Sequence, residues 1–321
     1  MTRQQKLLVL VDGSERSMQT VAYLKGFLTV DEGTRIVLFH VFNGLPEEYR
    51  ALEGEPACLA DLRRLHQYEA EQEKFIKARL EKAKALLTGG GFSDEAVEIK
   101  FSPLKKGVAR DIIAEAANGY SAVVMRRRGM GALQSVILGS VAVKLMESLT
   151  FIPVIIVGPA SPGRKLLLAV DSSPSAMKAV EFVAASLGGR GGGGYEVCIF
   201  HAIIGLGAVR FDISGNSVGR EIPDLPAQDT CVEAFKVKIN RLFQTVREKL
   251  LASGFAAEAV SEKIVTGVTS RSEAIVREAE EGGYGTIVVG RRGLSRTEAF
   301  FMGRVGHKVV YGGRDHTVWV V

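Results

Sequence analysis

The chain has 321 residues, 46% of them hydrophobic and 24% charged, with a net charge of +5; this excludes extended disorder and suits two globular domains of about 150 residues each. The apolar run before Asp12 is too short for a signal-peptide core, and no run reaches the roughly 18 apolar residues of a membrane span, so a soluble cytoplasmic protein is expected. Cys58, Cys198 and Cys231 are too widely spaced for a zinc site and read as reduced thiols.

Taken in order, Lys6–Val11 is an apolar strand ending at Asp12-Gly13-Ser14, and Met18, Val21, Leu24 and Leu28 follow at helical spacing. Arg35–Phe42 reads as a second strand, 62–87 as a long charged amphipathic helix closed by Gly89-Gly90-Gly91, and Ala96–Phe101 as a third strand. A short helix over 109–117, a strand over 121–125, a helix over 136–149 and a strand over 153–157 complete the first half. Apolar strands alternating with helices predict a parallel sheet covered on both faces.

The programme then restarts. Leu166–Val170 leads into Asp171-Ser172-Ser173, and paired markers recur at an offset of 159 to 164: His40 with His201, Gly91-Phe92 with Gly254-Phe255, Arg128-Gly129 with Arg292-Gly293. The spacing predicts helices over 229–251, 270–280 and 300–310, and strands over 259–265, 286–289 and 317–321. Gly188–Gly194 reads as a flexible turn, and the Gly- and Pro-rich 203–227 as a long loop suited to a lid or a partner surface. The chain is a tandem duplication.

Two stretches carry the chemistry: AVVMRRRGMGALQSVILGSVAVKLM at 122–146 and TIVVGRRGLSRTEAFFMGRVGHKVV at 286–310. Each runs from a strand through a Gly- and Arg-rich loop into a helix, an arrangement whose free amides and helix dipole favour an anion. Gly290, Gly293 and Gly303 mark the second loop, Gly129 and Gly139 the first, with Arg126 standing where the first loop would open on glycine. The arginine runs 126–128 and 291–292 lack stacking aromatics beside them, which disfavours nucleic acid. His40 and His201 lie in apolar strands and read as satisfied core histidines rather than catalysts.

An Asp closing the first strand, a His-Val pair closing the second and a G-x2-G-x9-G-[ST] loop resemble the pattern of the universal stress protein family, twice and over nearly the whole chain. The resemblance implies an α/β fold of two tandem doubly wound domains, 1–158 and 164–321 joined by a linker at 159–163. Each would hold a five-stranded parallel sheet of order 3-2-1-4-5, the adenine nucleotide alpha hydrolase-like architecture. It implies ATP or AMP, with or without magnesium, at the carboxyl ends of strands one and four, where open α/β sheets bind ligands in general. Carried over, the binding positions are Asp12, Val41, Met125, Arg128, Gly129, Gly139, Ser140 and Val141 in the first copy. In the second they are Asp171, Ala202, Val289, Gly290, Arg292, Gly293, Gly303, Arg304 and Val305. The family's dimer mode implies an internal pseudo-dimer pairing 153–157 with 317–321, a further homodimer being left open. The function implied is that of a stress-response sensor or regulator, at most a slow ATPase; the alternative is a scaffold of the same fold that binds no nucleotide.

Each copy departs from the pattern once. Arg126 would be strained by about 1 kcal/mol or more if its position required positive φ, and would obstruct the ligand; in an ordinary conformation it would point to solvent. Arg304 replaces a Ser or Thr at a helix N-terminus, where a cation opposes the dipole, so it would either meet a phosphate or fill the pocket. Asp12 and Asp171 could accept from a ribose or could cap the helices that follow them. On these grounds the two copies are level.

Overall fold

The structure is a computed structural model and describes residues 5–30, 33–52, 55–127, 138–159, 163–188, 194–205, 228–292 and 302–321, the side chains of 228–232 excepted. It forms two compact units, Met1–Val157 and Gly158–Val321. The first contains β1 (Gln5–Leu10), α1 (Glu15–Phe27), β2 (Thr34–Phe42), α2 (Glu47–Arg50), α3 (Leu59–Thr88), β3 (Val97–Pro103), α4 (Val108–Ala116), β4 (Ala122–Arg126), α5 (Ser140–Ser148) and β5 (Val154–Val157). The second contains β6 (Lys165–Ala169), α6 (Pro174–Leu187), β7 (Glu196–Ile204), α7 (Gln228–Ala252), β8 (Val260–Val268), α8 (Arg271–Glu281), β9 (Thr286–Val289), α9 (Arg304–Gly312) and β10 (Thr317–Val320).

Within the first unit the strands lie in the order β3-β2-β1-β4-β5, within the second β8-β7-β6-β9-β10, all parallel. Taken unit by unit, this is the expected 3-2-1-4-5 order. The first strand of each copy is central: Leu8 is in register with Val37 on one side and Val123 on the other, and Leu167 with Cys198 and Ile287. Helices cover both faces, so the middle of these strands must be apolar on both, and Leu7–Val9, Ala122–Val124 and Leu166–Leu168 are all buried. The outer strands β3 and β8 keep charged residues such as Glu98, Lys100, Glu262 and Lys263, which discourages further strand addition at those edges.

A buried carboxylate recurs behind each outer strand. Glu115 of α4, 8% exposed, accepts from Lys100 Nζ of β3 at 2.7 Å, from Tyr120 Oη at 2.5 Å and from Asn118 Nδ2 at 3.2 Å. In the second unit Glu278 of α8 pairs with Lys263 Nζ of β8 at 2.6 Å. A carboxylate can stay charged in such a place only with donors of this kind.

Helix starts explain the largest differences from the predicted elements. Ser14, Ser173 and Ser270 cap α1, α6 and α8, their hydroxyls accepting from Ser17 N at 3.2 Å, Ala176 N at 3.2 Å and Glu273 N at 3.4 Å. α5 and α9 begin later than the periodicity predicts, at Ser140 and Arg304, because Gly139 and Gly303 before them are extended. The predicted helical residues 136–137 and 300–301 lie outside the described residues, as do 189–193 and 206–227 of the two predicted loops. β7 runs on to Ile204, into what reads as loop, and the four-residue α2 falls in a stretch without helical periodicity.

Candidate functional site

The crevice at the topological switch point of each unit lies at the carboxyl ends of its first and fourth strands. In the first unit β1 is followed by Val11, whose N–H donates to Phe39 O at 3.0 Å, and then by Asp12. Ser14 donates to the same Asp12 oxygen twice, from N at 2.9 Å and from Oγ at 2.6 Å. Desolvation alone would raise this carboxyl; the hydrogen bonds it accepts, led by the two from Ser14, together outweigh it and hold the group below its ordinary value. Asp171 accepts likewise from Ser173 N at 3.0 Å. Neither Asp caps a helix with its side chain; the serines two residues on do that.

Both histidines are bound to strand carbonyls. His40 Nδ1 lies 2.7 Å from Val11 O and His201 Nδ1 2.6 Å from Val170 O, a contact that requires the nitrogen to donate. Burial pushes both imidazoles below their ordinary value, although the carbonyl bond acts the other way. Each ring thus locks the end of the first strand to the second. Val41, Ala202, Met125 and Val289, carried over as pocket residues, are buried at the ends of their strands.

Where the two fourth strands end, the units part company. Gly290, just past β9, sits so close to α6 that a Cβ there would lie 2.7 Å from Ser175 C, 2.8 Å from Ala176 N and 2.9 Å from Ser175 O. Its φ is not positive, so close backbone approach, not a left-handed turn, is what demands glycine. Beyond it Arg292 N donates to Ser175 Oγ at 3.1 Å, and Ser173 Oγ donates to Arg292 O at 3.3 Å. Gly303 N then donates to Arg291 O at 2.7 Å, which brings the start of α9 back to the start of the loop.

Arg126 takes the ordinary backbone of the second alternative, not the strained one, but its side chain departs from what that alternative expected. It is the last residue of β4, in parallel register with Val157, so its backbone is unstrained; nor does it point to solvent. The half-buried side chain crosses to α1, where Nη2 donates to Gln19 Oε1, and it lies beside Arg16, the residue standing where the second unit has Ser175. Arg304, the other departure, is exposed at the first position of α9.

The residues after Arg126 and Gly290, namely Arg127 and Arg291, are buried at 4% and 6% exposure. Their amides donate to the ends of the last strands, Val157 O at 3.1 Å and Val321 O at 2.5 Å. Burial, and secondarily the charge of Arg292, pushes the Arg291 guanidinium down to about 10. The arginine runs are therefore not simply surface loop: one member of each is built into the fold. Only its recurrence at equal offset in both copies hinted at this.

Gly139 (φ −68°, ψ 159°) and Gly303 (φ −63°, ψ 151°) are the N-caps of α5 and α9 and, being glycines, offer no side-chain acceptor to either helix. Ser140 and Arg304 are exposed there, with Val141 and Val305 half-buried behind them. Arg128, Gly129 and Gly293 lie outside the described residues. Serine-capped helices after the first strand and glycine-started helices after the fourth recur in both units.

A model of the universal stress protein family matches residues 4–158 and again 163–314. The chain belongs to the universal stress protein family. Its fold is shared with a universal stress protein from Archaeoglobus fulgidus, at 20% identity over 98% of this chain and 97% of that one, TM-score 0.58. A Pseudomonas aeruginosa PAO1 protein titled as functionally unknown is similar at 16% identity over 99% and 92% of the two chains, TM-score 0.54. No curated protein matches the chain. As a tandem universal stress protein it repeats one fold twice, and Ser175, which no glycine motif reveals, stands where the first copy has Arg16.

Proposed function

We propose that this universal stress protein binds an adenine nucleotide, ATP or AMP, at the switch point of at least one unit and acts as a stress-response sensor or regulator in the cytoplasm. The observation that carries this reading is the repeated pair of helix N-termini, α5 and α9, whose glycine caps offer the first amides no side-chain acceptor of their own, near the ends of the strands that lead to Asp12 and Asp171. Such amides need an acceptor, and a phosphate supplies one of the right charge. Ser140 and Val141, or Arg304 and Val305, would present the amides; Gly139 and Gly303 would keep the approach open. The Ser140 hydroxyl and the Arg304 guanidinium would add a donor each. Asp12 or Asp171 would accept from the ribose, and Val41 with Met125, or Ala202 with Val289, would line the base.

Magnesium would come with a triphosphate and be held by its oxygens; among the described residues no group of three or more His, Cys, Asp or Glu is placed to hold a metal. A binding role rather than a catalytic one is favoured by the histidines, both committed to strand carbonyls. Among the described residues no helix is long and apolar enough to cross a membrane. We further propose that the last strands of the two units pair as an internal pseudo-dimer, since an uncovered apolar edge would invite aggregation. Cutting an engineered protease site in 159–163 then leaves two fragments that elute together; separate elution overturns the pairing.

Titration calorimetry with ATP, ADP and AMP on the full chain tests the main reading. Heat with a saturable isotherm supports it. Neither heat nor a thermal shift at millimolar nucleotide favours the scaffold, a reading to which the Arg126 contact on α1 lends some weight in the first unit.

A further inference from the structure

We infer that α3 of the first unit is a docking face for a second copy of this chain, whose own α3 it meets antiparallel about a two-fold axis beside Tyr68. α3 packs over β2 and β3, at the other end of that unit's sheet from β5, so this face is separate from the last-strand pairing proposed above.

The helix is longer than its strands require. Its 30 residues span about 45 Å, whereas the seven of β3 span about 23 Å. Lys77 Nζ lies 5.1 Å from the ring centre of Phe101, near the end of β3, so the turns before it run on beyond the carboxyl edge of the sheet. The inner side of α3 carries Leu62, Leu80, Ala83 and Leu87, all buried, with Ile76 against Gly13. Its outer side carries a second series, Asp61, Arg64, Tyr68, Glu71, Phe75 and Ala78, spaced alternately three and four residues apart, and every member is exposed. That spacing is the seam along which one helix packs on another. Tyr68 and Phe75, 59% and 48% exposed, stand one heptad apart on it.

The duplication isolates this feature. Aligned through Gly91 and Gly254, α7 keeps the inner side, with Phe243, Val246 and Leu250 buried where α3 has Leu80, Ala83 and Leu87. On the outer side α7 has Ala234, Lys238 and Arg241 where α3 has Glu71, Phe75 and Ala78. The packing that both copies share belongs to the fold; the seam belongs to the first copy alone.

Charge chooses the partner and its direction. Side by side and parallel, two copies of α3 would set Arg64 level with Arg64 and Glu71 level with Glu71. Reversed about an axis midway between residues 67 and 68, Arg64 of each copy comes level with Glu71 of the other, and the two Tyr68 side chains meet between those pairs. The face is thus complementary to itself, as a two-fold contact must be. Within one copy Arg64 has only a 4.0 Å contact with Asp61, the two side chains being 84% and 82% exposed, so little is lost when it turns to a partner. A single helix pair lies at the low end of interface sizes, below about 1,200 Å² in total, which makes the dimer weak and reversible.

Sedimentation velocity of the full-length protein at rising concentration tests the inference. The wild type is expected to pass from monomer to dimer, less readily as salt is raised. Arg64→Glu and Glu71→Arg each set like charges level with one another and are expected to raise the dissociation constant about tenfold; both positions are exposed, so the circular dichroism spectrum is expected to stay unchanged. The exchanged variant Arg64→Glu/Glu71→Arg is expected to regain wild-type association, as is an equimolar mixture of the two single variants. Tyr68→Ala is expected to weaken the dimer several-fold. A wild type that stays monomeric at every concentration overturns the inference. So does a dimer that neither single variant weakens, which places the contact elsewhere, or an exchanged variant that does not recover.

Discussion

Gly290 is a packing residue before it is anything else. The atoms a Cβ would meet there belong to the backbone of α6, which cannot rotate aside as a side chain can. Gly290→Ala is therefore expected to cost about 1–3 kcal/mol in urea unfolding, whereas Gly163→Ala, with nothing within 4 Å of the new methyl, stays within about 0.5 kcal/mol. The sequence marks Gly290 as special but not why: a loop glycine left clear for a ligand and one left clear for a helix look the same in one dimension. His201 shows the converse, since an imidazole in an apolar strand predicts a satisfied core group, and it donates to Val170 O. Its folded pKa lies below the ordinary 6.5, so below about pH 6.5 the unfolded chain takes up more protons and stability falls with pH. His40, shifted the same way, adds to this. The double variant His40→Asn/His201→Asn, which keeps a donor without the titration, is expected to lose less melting temperature between pH 7 and pH 5 than the wild type.

At the level of elements, strand and helix order followed from period and composition because buried parallel strands must be apolar throughout and capped helices announce themselves with serine. Ser14, Ser173 and Ser270 do so here. The starts of α5 and α9 were less legible, since apolar residues continue upstream while the extended glycine breaks the helix. The networks around Glu115 and Glu278 were not legible at all: they join residues of α4 to β3 and of α8 to β8 that carry no local pattern. Desolvation would raise the Glu115 carboxyl, but Lys100 and Tyr120 hold it below its ordinary value, so its contribution is present above about pH 4.5 and fades as the pH falls below that. Glu115→Ala is expected to destabilise by about 1–3 kcal/mol at pH 7, the lower end being favoured because Lys100 is 41% exposed and can return to water. The gap between variant and wild type should narrow at pH 4, which chemical denaturation at the two pH values measures.

Over the whole molecule, duplication gives one fold twice, and the interest lies in where the copies differ. The single tryptophan, Trp319 of β10, is 1% exposed and packs edge-on against Phe182 at 5.4 Å, so its fluorescence reports the unfolding of the second unit. If that unit holds the nucleotide, saturating AMP or ATP at a hundredfold above the dissociation constant should stabilise the Trp319 transition by about 2.7 kcal/mol; an unmoved transition counts against the second site. By itself the sequence determined the duplication, the α/β class, the strand order through family resemblance and the two loops, because these rest on repeats, period and short motifs that are local in the chain. Only the tertiary structure decided what Arg126, Arg127, Arg291, Ser173 and Ser175 do. Each acts on a residue distant in sequence, as Arg126 does on Gln19 and Ser175 on Arg292, and a pairing of that kind exists only once the fourth strand has been laid beside the first.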